Sequence, residues 1–106
     1  MREGIYRIET TVGQMSSNGV AMINNGRIKG LDNDYVYVGN QVIKKGKRGW
    51  SFSAERYWES RPRFSFRRFS ATVYDEEAEE EFRLWGESDA DASMKVDIHG
   101  WRIADL

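Results

Sequence analysis

Apolar and polar residues alternate along most of this chain with a period of two, the spacing of a β-strand with one face buried and one in water. Tyr6, Ile8, Thr10 and Val12 fall on one face of a first strand, with Arg7, Glu9 and Thr11 on the other. Gly19 to Ile23, then Asn24-Asn25-Gly26, then Arg27-Ile28-Lys29 predicts a hairpin, because Asn and Gly accept the positive φ of a tight type I′ turn. Asp32-Asn33-Asp34 reads as a polar turn. It precedes a short fourth strand, Tyr35-Val36-Tyr37-Val38, β-branched and aromatic throughout, which ends at Gly39 where the backbone is free to bend.

Lys44-Lys45-Gly46-Lys47-Arg48-Gly49 holds no apolar residue and reads as an exposed loop. Trp50, Phe52 and Ala54 then alternate with Ser51, Ser53 and Glu55 in a fifth strand. Pro62, the single proline, suits a turn, since it cannot donate to a ladder. A sixth strand is expected from Arg63 to Tyr74. Its apolar face switches between Phe64/Phe66 and Phe69/Ala71/Val73, which predicts a bulge near Arg67-Arg68. Phe82, Leu84 and Trp85 mark a seventh strand, and Asp89-Ala90-Asp91 a turn. Met94, Val96 and Ile98 begin an eighth strand, with a kink expected at Gly100 before Trp101 and Ile103. No stretch of the chain shows a sustained helical period. Short strands joined by hairpin-like links predict an all-β fold: a small antiparallel, eight-stranded up-and-down barrel whose closure removes exposed edges.

Size and composition narrow this picture. A chain of 106 residues supports one core, so residues 1–106 are read as a single domain. Its 40% hydrophobic and 13% aromatic content is enough to fold despite 31% charged residues. Cysteine is absent, which removes disulfides and thiolate metal sites and fits the cytoplasm. The absence of a secretory apolar stretch or an 18-residue apolar run predicts no membrane association.

Catalytic patterns are missing. His99, the single histidine, has no Cys or Ser partner at motif spacing and reads as an outward strand residue. Asp32 and Asp34 are followed by Tyr35 and Val36 where a calcium loop requires oxygen ligands, and Asp89 and Asp91 fail in the same way. Gly46 and Gly49 lack the ending of a phosphate loop. The expectation is therefore a binding protein and not an enzyme, with no cofactor and no metal.

Charge is unevenly spread. Residues 44–69 carry nine Lys and Arg against Glu55 and Glu59, a net of +7 in a chain whose overall charge is −1. The block is interleaved with Trp50, Phe52, Tyr57, Trp58, Phe64, Phe66 and Phe69, the composition of a groove that grips single-stranded nucleic acid through phosphates and stacked bases. Strand alternation turns about half of those rings inward as ordinary core, and the overall charge gives no strong pull on a polyanion. Asp75-Glu76-Glu77-Ala78-Glu79-Glu80-Glu81 is a strongly acidic run, either a solvated turn or a docking surface for a basic partner. It is also placed to neutralise the basic block within or between chains.

Gly4-Ile5-Tyr6-Arg7-Ile8, then Gly19-Val20-Ala21-Met22-Ile23-Asn24-Asn25-Gly26-Arg27-Ile28-Lys29-Gly30 and Asp34-Tyr35-Val36-Tyr37-Val38-Gly39, resembles the GrlR family of small bacterial regulators, typified by the repressor partner of a type III secretion activator. The resemblance spans residues 4–39. It implies a lipocalin-like eight-stranded barrel with an apolar interior, usually dimeric, that acts as a negative regulator of transcription indirectly, by binding an activator protein. The family's typical member meets that activator through an acidic Glu-Asp-Glu-Asp motif in the loop after the fourth strand. Here the corresponding loop, Lys44-Lys45-Gly46-Lys47-Arg48, has the opposite charge. The resulting expectation is a regulatory protein that binds a protein partner through Lys44, Lys45, Lys47 and Arg48 and through Asp75, Glu76, Glu77, Glu79, Glu80 and Glu81. The rival readings are a carrier of a small apolar molecule inside the barrel and the single-strand nucleic-acid binder.

Overall fold

In the first strand, β1 (Gly4–Val12), the side chains of Tyr6, Ile8 and Thr10 are buried while those of Arg7, Glu9 and Thr11 are exposed, so the period-two pattern is realised residue by residue. The computed structural model describes residues 2–33, 35–56, 68–76, 79–88 and 93–106. The further strands are β2 (Met15–Asn24), β3 (Arg27–Asp32), β4 (Tyr35–Lys44), β5 (Lys47–Arg56), β6 (Arg68–Glu76), β7 (Glu81–Ser88) and β8 (Lys95–Ala104). Each pairs antiparallel with the next, and β8 pairs back onto β1, closing an antiparallel barrel. Among the described residues no helix is long and apolar enough to cross a membrane.

The expected hairpin between Gly19 and Lys29 is present. Asn24 pairs with Arg27, and Asn25 and Gly26 both have positive φ, 52° and 71°, as a type I′ turn requires. The predicted bulge at Arg67-Arg68, the Pro62 turn, residues 63–67 of the sixth strand and the Asp89–Asp91 turn lie outside the described residues. Where β6 is described, its register against β5 runs unbroken from Glu55 opposite Arg68 to Gly49 opposite Tyr74.

Three sequence expectations need correction. The strand beginning at Tyr35 does not stop at Gly39 but continues to Lys44, and β8 passes through Gly100 without a break in register. Both glycines point inward, each directly across from a large ring on the neighbouring strand: Gly39 faces Phe52 and Gly100 faces Phe82. At Gly100 the missing side chain makes room for the ring, and at Gly39 an added Cβ would crowd the Phe52 Cβ at 3.0 Å. Asp32 is not a solvated turn residue either. It is 3% exposed and accepts hydrogen bonds from Ser17 Oγ (2.6 Å), the Tyr35 amide (2.8 Å) and the Tyr37 hydroxyl. That cluster ties β2, β3 and β4 together at one end of the barrel. Burial, followed by the hydrogen bond to Asp32 and its negative charge, pushes the Tyr37 hydroxyl far above its ordinary pKa.

The core consists of inward residues from strands around the barrel, among them Tyr6, Ile8, Ile23, Tyr37, Trp50, Phe52, Phe82, Leu84, Val96 and Ile98. Tyr6 and Phe82 meet edge to face with centroids 5.1 Å apart. At the centre remains a cavity of about 20 Å³, lined by apolar residues that include Ile8, Trp50, Phe52 and Leu84. That is room for about one water molecule.

Candidate binding surface at the charged end of the barrel

Alternate hairpins open at opposite ends of an up-and-down barrel, so strand order decides which loops meet. The connections β2–β3, β4–β5 and β6–β7 all emerge at the end where β1 begins and β8 finishes. The basic segment is the β4–β5 connection and the acidic segment the β6–β7 connection. They sit on the paired strands β5 and β6, beyond the Gly49–Tyr74 pair. Fold topology therefore brings the two charged segments to one end of the molecule.

The basic segment is not the open loop expected for Lys44–Gly49. Lys44 pairs with Lys47, Ile43 with Arg48 and Val42 with Gly49, leaving only Lys45 and Gly46 to turn. Their φ values of 53° and 76° make a second two-residue turn of the I′ pattern. A polar run predicts exposure correctly, but a hairpin tip needs no apolar residue to keep its backbone paired. Lys45, Lys47 and Arg48 are exposed on this short, fixed ribbon. Directly opposite Arg48 stands Ile43, 80% exposed, the most exposed large apolar side chain among the described residues. Val42 and Ile43 carry no expectation from the sequence, and only the hairpin register shows that Ile43 points into water.

In the acidic segment the backbone places Asp75 and Glu76 at the end of β6, opposite Leu84 and Arg83, and Glu81 at the start of β7. Glu77 lies outside the described residues. Glu79, Glu80 and Glu81 are exposed. Glu80 and Glu81 find their ion-pair partners at Arg2 and on β8. Glu80 pairs with Arg2 (2.5 Å) and with Arg102 (3.9 Å), and Glu81 pairs with His99. Arg102 also donates from Nε to the Glu3 carbonyl (3.0 Å) and from Nη2 to Asp105, which holds the Asp105 carboxyl below its usual range. Glu80 thus ties Arg2 and Arg102 to the start of β7, and Glu81 ties β7 to β8 through His99, while Lys45, Lys47 and Arg48 are exposed.

His99 occupies the outer face of β8, stacked on Trp101 (3.9 Å between centroids), whose ring also carries the Arg7 guanidinium 4.2 Å from its centre. Of the tryptophans that an interface would use, Trp101 is thus partly covered, Trp85 is 43% exposed, and Trp58 lies outside the described residues. Trp50 and Phe52, two of the rings in the basic block, are 1% and 6% exposed and belong to the core.

No family model matches this chain. No curated protein matches it either.

Proposed function

We propose that this chain is a non-enzymatic, GrlR-like regulatory protein, a lipocalin-like eight-stranded barrel acting in the cytoplasm on transcription or secretion control. It works by binding a protein partner through the charged end of the barrel. The observation that carries this reading is the β4–β5 hairpin, which holds the exposed Ile43 beside Lys45, Lys47 and Arg48 on a rigid two-residue turn. A desolvated apolar anchor ringed by charge is the usual composition of an interface hot spot, with the cations steering association and selecting an acidic partner surface. Occlusion is the mechanism: the hairpin covers a working surface of the partner and withholds it from other contacts.

The rival readings have less support. A carrier needs a cavity of several hundred Å³, and the central cavity lined by described residues measures about 20 Å³. A stacking platform needs exposed rings; Trp50 and Phe52 of the basic block are core, and Tyr57, Trp58, Phe64 and Phe66 lie outside the described residues.

The test is affinity capture from a nuclease-treated native lysate with wild type, Ile43→Ser and the Lys44/Lys45/Lys47/Arg48→Glu variant. One protein retained by wild type and lost by both variants is the expected result. Equal recovery by all three removes the hairpin from the mechanism, and recovery of nucleic acid alone from untreated lysate favours the single-strand binder.

A further inference from the structure

The outer wall of a single-layered barrel faces water and is normally polar, yet one side of this barrel is not. In adjacent positions across three strands, Val20, Leu31 and Val36 form one row, and Met22, Lys29 and Val38 form the next. Val20, Met22, Leu31 and Val36 are 48, 46, 55 and 42% exposed. Together the two rows line a shallow concavity of about 520 Å³. A contiguous exposed apolar patch of this kind marks an interaction site, in contrast to scattered single exposed residues.

Charge and topology identify the occupant. The described side chains on the outer face of β2, β3 and β4 include two cations, Arg27 and Lys29, and no carboxylate, since Asp32 is buried inside. Neither cation has an ion-pair partner among the described residues. A second copy docked on this face about a two-fold axis along β3 would set Lys29 against Lys29, a like-charge contact that costs affinity. Strand addition is closed off as well, because every one of these strands is already paired on both sides. Val20, Leu31 and Val36 follow one another across adjacent strands at about 4.8 Å, and apolar anchors three residues apart on a helix are spaced by about 4.5 Å.

From this we infer that the outer face of β2–β3–β4 docks an acidic amphipathic helix of a partner protein, with apolar anchors on Val20, Leu31 and Val36 and a carboxylate on Lys29. This surface is separate from the β4–β5 hairpin, and the inference stands without it.

The experiment uses the full chain, isotope-labelled, titrated with a synthetic helical peptide of about 14 residues bearing Leu at every third or fourth position and Glu flanking them. A control peptide has each Glu replaced by Lys. The expected result is saturable amide shifts at Val20, Met22, Lys29, Leu31, Val36 and Val38 with the acidic peptide, and binding about tenfold weaker with the control. Lys29→Glu should reverse that preference, and Leu31→Ser should weaken the acidic peptide by about tenfold while leaving the urea midpoint near that of wild type. The Lys44/Lys45/Lys47/Arg48→Glu variant should bind the peptide as wild type does, which separates this face from the hairpin. Equal binding of both peptides, or shifts confined to other faces, overturns the inference. A concentration-dependent dimer in sedimentation that Leu31→Ser disperses also overturns it, in favour of a second copy.

Discussion

Gly100 stands directly across from Phe82 on β7 and from Ile8 on β1, and a β-carbon built there would meet the Phe82 ring at 2.2, 2.5 and 2.8 Å. Carbon atoms in contact normally sit about 3.5–4.0 Å apart, so Gly100→Ala overlaps the ring by more than 1 Å. The ring has little room to move: Phe82 is 2% exposed and packs edge to face on Tyr6, and the central cavity that it borders measures about 20 Å³. Overpacking of this kind costs about 1–3 kcal/mol, partly offset by about 0.4–1 kcal/mol from the stiffer unfolded chain. The net expectation is a loss of about 1.3 kcal/mol, or a fall in Tm of about 5–10 °C for a domain of this size. Urea and thermal unfolding followed by tryptophan fluorescence measure it. The decisive comparison is a double-mutant cycle with Phe82→Leu, which removes the obstructing ring. If the ring is the cause, the double variant should be more stable than the sum of the two single losses by about 1 kcal/mol or more. Additivity within about 0.5 kcal/mol, or a Gly100→Ala protein as stable as wild type, would refute the reasoning and restore the view of Gly100 as a backbone hinge.

Two further outcomes follow from the same reading. Because burial and Asp32 raise the Tyr37 pKa above its ordinary value of 10.0, the folded state keeps its proton where the unfolded state loses it. The stabilisation is complete below pH 10 and is lost as pH rises above it, at up to about 1.4 kcal/mol per pH unit. Urea midpoints between pH 9 and 11.5 should fall with that slope, and Tyr37→Phe should flatten it; an unchanged slope in the variant would place the effect elsewhere. In the β4–β5 turn, Lys45 holds a φ of 53° that Asn tolerates better. Lys45→Asn should therefore raise stability by about 0.5 kcal/mol, or about 2–4 °C in Tm, and a fall in Tm would contradict the assigned turn.

Much of the fold is legible from neighbours in sequence, because strand alternation and type I′ turns are local. Tyr6-Arg7-Ile8-Glu9 and Asn25-Gly26 declare themselves within a few residues. What eludes local reading depends on the partner across the ladder. A glycine inside a strand signals either a bend or a space beneath a ring, and only the register that sets Gly39 against Phe52 and Gly100 against Phe82 decides which. Asp32-Asn33-Asp34 has the composition of a solvated turn, but Ser17 and Tyr37 reach Asp32 from other strands and bring it inside.

The surfaces divide along the same line. The cations of the basic hairpin are evident from composition, while Ile43 becomes an anchor only when the pairing with Arg48 shows its exposure. The acidic run is equally plain, yet Arg2 and Arg102, which hold Glu80, come from the two ends of the chain. The apolar outer face does leave a trace in sequence: Tyr35-Val36-Tyr37-Val38 is apolar on both faces, a pattern that suits a strand between two layers. In this barrel the sheet closes on itself, so Tyr35 and Tyr37 fill the interior and Val36 stays 42% exposed. A strand apolar on both sides in a single-layered fold is thus a sequence sign of a docking surface, readable as soon as the fold class is known.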